Sequence, residues 1–206
     1  MVIYCVVPAA GESTRFPWNK LLYNYCDKPV IVQTISNILE SGVFKKVVVV
    51  LGYQHELVAD ALRDFRSHVD ITVNSHYKQG MSTSIKLGVE YIARNYGDAR
   101  IIGVNPGDVA WIHPGIYTSV VVRFSEQLGR FRVAVAAYRG IRGHPILFSS
   151  EILSELLSIS EEKMGLKEIT SKYRDQTLIV ETGYPGVILD LDTVLDILRV
   201  KQLVNK

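Results

Sequence analysis

The segment Val2 to Val7 is short, apolar and rich in β-branched residues, and it runs straight into Pro8-Ala9-Ala10-Gly11-Glu12-Ser13-Thr14-Arg15-Phe16-Pro17-Trp18-Asn19-Lys20-Leu21-Leu22. Such a run reads as a buried β-strand, so the chain begins as a strand whose carboxyl end opens into a loop of small residues. With Ala, Ala, Gly and Ser in that loop, no bulky side chain stands between a ligand and the backbone N–H groups. Arg15 and Lys20 add two cations, one a planar fork suited to phosphate oxygens and the other a mobile point charge. The combination suggests a triphosphate site, against the plainer reading of a tight turn. The loop contains neither G-x-x-x-x-G-K-[ST] nor G-x-G-x-x-G, which argues against a P-loop kinase or a dehydrogenase.

The following segments repeat the same unit. Lys28 to Ser41 carries apolar residues at a helical period and ends at Gly42, and Val47 to Leu51 is a nearly continuous apolar strand. A helix over 54–66 and a short strand over Asp70 to Val73 follow. These β-loop-α repeats predict a Rossmann-like α/β fold with a mostly parallel central sheet, helices on both faces and ligands at the carboxyl ends of the strands. Further strands are expected at 101–104, 131–138, 177–180 and 187–189. Helices are expected at 85–95, 113–128, 149–157 and 163–173, with a last one after Thr193.

Chemistry-bearing residues recur at the ends of these elements. Asn74 precedes Gly80-Met81-Ser82-Thr83-Ser84, where Ser82 is an N-cap candidate and the hydroxyl-rich helix start can bind ribose or phosphate oxygens. Asp108, after Gly107 at a strand tip, suits a hard cation such as Mg²⁺, the alternative being a simple Asp-Gly turn. Arg139 to Phe148 is a basic, glycine-flexed loop running into another strand, in which His144 reads either as a functional group or as a hydrogen-bonded structural residue. If 187–189 is a strand, alternation points Asp190 and Asp192 the same way. Asp192 can also cap the final helix. Trp18 and Trp111 are expected to pack or to line a loop rim.

At 206 residues, with 48% hydrophobic and 21% charged residues, the chain suits one soluble domain spanning 1–206. A net charge of +2 gives no broad basic field, so nucleic-acid binding has no support. No apolar run is long enough for a membrane span. Cys5 and Cys26 show no metal-site or disulfide spacing, and the N-terminus lacks a signal-peptide pattern, so a cytoplasmic location is expected.

Five segments in order resemble the nucleotidyltransferases that act on the molybdenum cofactor, the MobA/MocA-like NTP transferases. They are G-x-S-x-R-x-x-x-x-K-x-L from Gly11 to Leu22, G-M-S-x-S from Gly80, Gly107-Asp108, R-G-H-P-x-L-F from Arg142, and D-x-D-T from Asp190. The resemblance implies a single Rossmann-like, GT-A-like nucleotidyltransferase domain and transfer of a nucleotidyl group from an NTP to a phosphorylated pterin-type acceptor. It implies nucleotide binding by Ala9, Ala10, Gly11, Glu12, Ser13, Ser82, Thr83 and Ser84, and catalysis by Arg15, Lys20 and Asp108. Mg²⁺ would be held by Asp108 and Asp192 with Asp190 in support, and the acceptor by Arg142, Gly143 and His144, with Lys167 a weaker candidate. A molybdoenzyme or its maturation factor is the implied recipient. Ala-Ala-Gly in the first loop resembles the cytidylyl-transferring branch and makes CTP the expected nucleotide, with GTP the alternative. The chain departs from the family pattern at Val109, Ala110, Met164 and Val194. Those departures leave a non-catalytic nucleotide or cofactor carrier as one rival, and the loop chemistry, shared by a wider group, leaves a sugar-phosphate nucleotidyltransferase as another.

Overall fold

Residues 46–51, Lys-Val-Val-Val-Val-Leu, can only be satisfied as a strand covered on both faces, and the fold is built around that requirement. The structure, a computed structural model, describes residues 1–25 and 27–204; the expectation for Cys26 lies outside them. In chain order the elements begin with β1 (Ile3–Ala9), the two-residue strands β2 (Asn24–Tyr25) and β3 (Lys28–Pro29), α1 (Val30–Glu40), β4 (Lys46–Leu51), α2 (His55–Ala61) and β5 (Val69–Val73). They continue with α3 (Met81–Asn95), β6 (Ile101–Val104), α4 (Pro114–Ser125), β7 (Val133–Tyr138) and β8 (Ile141–Ser149). The chain closes with α5 (Leu153–Ser158), α6 (Leu166–Lys172), β9 (Thr177–Glu181) and α7 (Val194–Val204).

Seven strands form one sheet in the order β5-β4-β1-β6-β8-β7-β9. β1 lies parallel to β4 and β6, β4 to β5 and β7 to β9, whereas β8 runs antiparallel to β6 and β7. The expected mostly parallel sheet is therefore present. Alternation assigns the faces: Cys5, Val7, Val47 and Val49 pack with α1, α2 and α4, while Tyr4, Val6, Val48 and Val50 pack with α3, α5 and α6. Val48, Val49 and Val50 are fully buried, and each such side chain is worth about 1.5–3 kcal/mol. α3 reaches the sheet because Gly88 has no side chain; a Cβ there would strike Val6.

Several boundaries differ from expectation. The first helix starts at Val30, because Pro29 holds extended angles at its N-cap and Lys28–Pro29 pairs with Asn24–Tyr25. The segment over 187–189 is not a strand: Pro185–Ile188 is a 3-10 turn. Gly186 packs under the Trp111 carbonyl and Gly143 packs under that of Val187, so these apolar residues are buried by a turn and not by sheet pairing. Ser82 is not an N-cap, since Gly80 takes that position with φ 109°, a conformation glycine adopts without strain. No helix among the described residues is long and apolar enough to cross a membrane.

Candidate active site

Loops from the carboxyl ends of β1, β4, β5 and β6 gather on one side of the sheet. Tyr53 N–H donates to the Ala10 carbonyl at 3.0 Å, Asn74 N–H to Leu51 at 2.8 Å, and Gly107 N–H to Pro8 at 3.0 Å. In the first loop Ala9 and Ala10 are buried, Gly11 faces open space, and Ser13 takes φ 56°. The Ala10 methyl packs against Gly52, where an added Cβ would lie 2.7 Å from it. Ser13 Oγ accepts from the Lys20 N–H at 3.3 Å, which folds the loop back so that Lys20 points inward.

Lys20 is the meeting point. Its Nζ lies 2.5 Å from Asp108 Oδ2 and 3.2 Å from Asp192 Oδ1. Arg15 Nη2 pairs with the other oxygen of Asp192 at 2.8 Å. The Lys20 and Asp108 side chains are only 18% and 13% exposed, so water screens their attraction weakly. Burial pulls the Lys20 pKa down, but the two carboxylates outweigh it and the net shift is upward. The Asp190 carboxyl is raised, first by burial and then by the like charges of Asp108 and Asp192, with Lys20 opposing.

Two devices bring these distant residues together. The Asp108 loop is fastened from beneath by α1: Thr34 Oγ1 donates to the Gly107 carbonyl at 2.8 Å, and Asn37 Nδ2 to that of Ala110 at 2.9 Å. A separate apolar cluster joins Phe16 of the first loop, Ala110 and Trp111 beyond Asp108, and Leu189, Leu191, Ile197 and Val200 around Asp192. Trp111 thus packs, edge-on to Tyr25, while Trp18 is exposed at the rim with its ring against Phe16. Asp192 does not cap the final helix, because its carboxylate is taken by Arg15 and Lys20. Asp196 reaches back instead and accepts from the Asp192 and Thr193 N–H groups at 3.1 and 2.7 Å.

The segment from Asn74 to Ser84 is internally tied. Asn74 Nδ2 donates to Thr83 Oγ1 at 2.8 Å and to Ser84 Oγ at 2.9 Å, which fixes the approach to α3. Glu12 pairs with Lys78 at 3.3 Å and accepts from the Tyr77 hydroxyl at 3.4 Å, bridging the first loop to this one. The Ser82 N–H donates to Glu161 at 2.6 Å, and Ser82 lines clefts of about 660 and 510 Å³, the first of them together with Asn74 and Thr83.

Arg142, Gly143 and His144 also line the 510 Å³ cleft, with Lys167 across from them. The same three residues line an adjoining cavity of about 120 Å³ that ends at Asp190. Burial depresses the His144 pKa to about 4 against an opposing pull from Asp108, so the ring is neutral near pH 7. Gly143 serves close packing, since a Cβ would overlap the Val187 carbonyl.

Sequence reasoning missed Thr34, Asn37 and Glu161. A signal existed for the first two, polar residues on the buried stripe of a helix; Glu161, an exposed loop carboxylate, gave none.

Among the described residues no group of three or more His, Cys, Asp or Glu is arranged to enclose a metal. Mg²⁺ does not require one, because it is commonly held by one or two carboxylates together with substrate phosphates. Asp108 and Asp192 share the Lys20 ammonium, which occupies the point between their oxygens, so a metal held by both carboxylates there requires that ammonium to move aside.

Residues 5–177 match the family model described as the MobA-like NTP transferase domain. The Escherichia coli (strain K12) molybdenum cofactor cytidylyltransferase is 24% identical over 97% of this chain and 96% of its own length. A probable molybdenum cofactor guanylyltransferase from Pyrococcus horikoshii is 26% identical over 61% of this chain and 58% of its own. Among solved structures, a nucleotidyl transferase from Methanothermobacter superposes with a TM-score of 0.79 at 23% identity, covering 98% and 96% of the two chains. A Mycobacterium tuberculosis protein solved as a complex with manganese superposes at 0.76 with 24% identity, covering 100% of both chains. At those identities the structural likeness speaks to the fold.

Proposed function

The chain belongs to the MobA-like NTP transferase family, and we propose that it is a Mg²⁺-dependent enzyme moving CMP from CTP to the phosphate of a molybdopterin-type acceptor. The observation that carries this reading is the Lys20 ammonium held between Asp108 and Asp192, which puts the loop cation and both candidate metal carboxylates at one point. In this reading the triphosphate lies along the Ala9 to Lys20 loop. Asp108 and Asp192 would hold Mg²⁺ once the Lys20 ammonium moves from between them, and the ion would supply charge neutralisation of the phosphates.

The acceptor occupies the cleft at Arg142, Gly143 and His144. An oxygen of its phosphate attacks the α-phosphorus in line, the new P–O bond forms as the bond to the β-phosphate breaks, and pyrophosphate leaves. Arg15 and Lys20 stabilise charge growing on that leaving group. No protein nucleophile takes part. His144, neutral near pH 7, contributes no charge that would hold the product phosphate back. The Ala-Ala-Gly loop and the full-length similarity to a cytidylyltransferase support CTP over GTP.

The test is pyrophosphate release by purified protein with Mg²⁺, a molybdopterin-type acceptor and each of the four NTPs in turn. Release with CTP alone is expected. Release with GTP alone would keep the mechanism and reverse the base, and release only with a sugar phosphate as acceptor would replace the acceptor. NTP binding without release to any acceptor would leave the chain a carrier.

A further inference from the structure

Arg15, Lys20, Asp108 and Asp192 form one chain of ion pairs. Arg15 Nη2 holds one oxygen of Asp192 at 2.8 Å, Lys20 Nζ holds the other at 3.2 Å, and the same ammonium holds Asp108 Oδ2 at 2.5 Å. Both oxygens of Asp192 are therefore engaged by side-chain cations. An ammonium and a divalent ion seek the same carboxylate oxygens and repel one another, so the two exclude each other at this point.

The backbone on either side is fastened, which leaves relocation to the Lys20 side chain. Its own N–H donates to Ser13 Oγ at 3.3 Å, and the buried Asn19 accepts from the N–H of the buried Leu21 at 3.0 Å. Thr34 and Asn37 hold the Asp108 loop, and Asp196 holds the turn at Asp192. Lysine carries its charge on a flexible four-carbon stem, so the ammonium can swing while these bonds stay intact. A metal arriving alone must break the ion pairs of Lys20 and leave that ammonium without an anion. A triphosphate along the first loop offers the ammonium other anions and so removes the obstacle.

We propose that Lys20 is an internal counter-cation that competes with the divalent metal for Asp108 and Asp192, so that the nucleotide-free protein holds metal weakly and the metal enters with the triphosphate. The inference rests on the reading of Asp108 and Asp192 as the metal carboxylates of a nucleotidyltransferase. It gives Lys20 a second role, distinct from stabilising the leaving group.

The test uses Mn²⁺ as the probe, the free ion being counted by electron paramagnetic resonance, on nucleotide-free protein. A site open in about one molecule in ten binds about ten-fold more weakly than the same site always open. Lys20→Met is therefore expected to bind Mn²⁺ about ten-fold tighter than the wild type, or more, and adding Asp108→Asn to it should abolish the gain. Lys20→Gln, which also removes the charge, serves if Lys20→Met does not fold. Arg15→Met controls for net charge: the Arg15 side chain is 67% exposed and lies at the outer oxygen of one acid, so its removal should gain about five-fold at most. Equal affinity in the wild type and the Lys20 variants, absence of binding by all of them, an equal gain from Arg15→Met, or a gain that survives Asp108→Asn overturns the proposal. A Lys20-limited metal site in a protein that releases no pyrophosphate with any NTP would sink the transferase reading and leave this one standing.

Discussion

The Lys20 ammonium sits 2.5 Å from Asp108 Oδ2, so a cation from the loop after β1 is clamped to an acid from the loop after β6. Neighbouring parallel strands make this geometry available, because β1 and β6 pair directly and release their loops side by side. Removing either partner leaves the other charge part-buried and alone. Lys20→Met is expected to reduce kcat by about 10²–10³-fold, the scale of a lost electrostatic contact in a transition state. Its cost in stability is expected to be about 1–2 kcal/mol, below that of a fully buried pair because the Asp192 side chain remains 31% exposed. Steady-state kinetics and urea unfolding check the two parts.

Asn37 is predicted to act through Asp108 without touching substrate. Asn37→Ala strands the buried Ala110 carbonyl, for which about 1–3 kcal/mol is expected. Displacement of the loop should lower kcat by up to roughly 10²-fold while KM for CTP changes little. Equal losses in kcat and in CTP binding would place Asn37 in the nucleotide pocket instead.

Gly143 is predicted to be intolerant of any side chain. Its Cβ would overlap the backbone oxygen of Val187, which cannot swing aside as a flexible side chain does. Gly143→Ala should cost about 2–3 kcal/mol, lowering Tm by roughly 5–10 °C in a chain of this size. A thermal melt of the variant reads this directly.

His144 predicts a pH dependence of stability. Its pKa is about 4 in the fold against about 6.5 in an unfolded chain. Between those values the unfolded chain takes up a proton that the native state refuses, so this contribution to stability falls as pH drops from about 6.5 to 4. Above about 6.5 it is constant. Urea midpoints measured across that window should decline for the wild type and decline less for His144→Gln; parallel curves for the two proteins would contradict the assignment.

Much of this architecture was legible in the sequence. The strands around 2–7, 47–51, 70–73, 101–104 and 131–138 appear with shifts of a residue or two, because buried parallel strands leave dense β-branched runs that little else produces. The 187–189 run misled because three apolar residues read the same whether buried in a strand or in a 3-10 turn. The Ser82 cap misled because a hydroxyl is the usual N-cap, whereas here Gly80 takes the position and Glu161 satisfies the Ser82 N–H from the far side of the chain. For Asp192 the two sequence readings were open, and the acid went to Arg15 and Lys20.

The sequence by itself determined the alternating strands and helices, the small-residue loop with its two cations, and an acid at the tip of β6, because local periodicity, backbone permissiveness and charge are written into neighbouring residues. The tertiary structure alone decided that Lys20, Asp108 and Asp192 share one point, that α1 holds the Asp108 loop from below, and that Ser82 and His144 line one cleft. Those outcomes depend on the Phe16–Trp111–Leu191 cluster and on strand pairing between distant segments, and no local pattern encodes which buried surfaces meet.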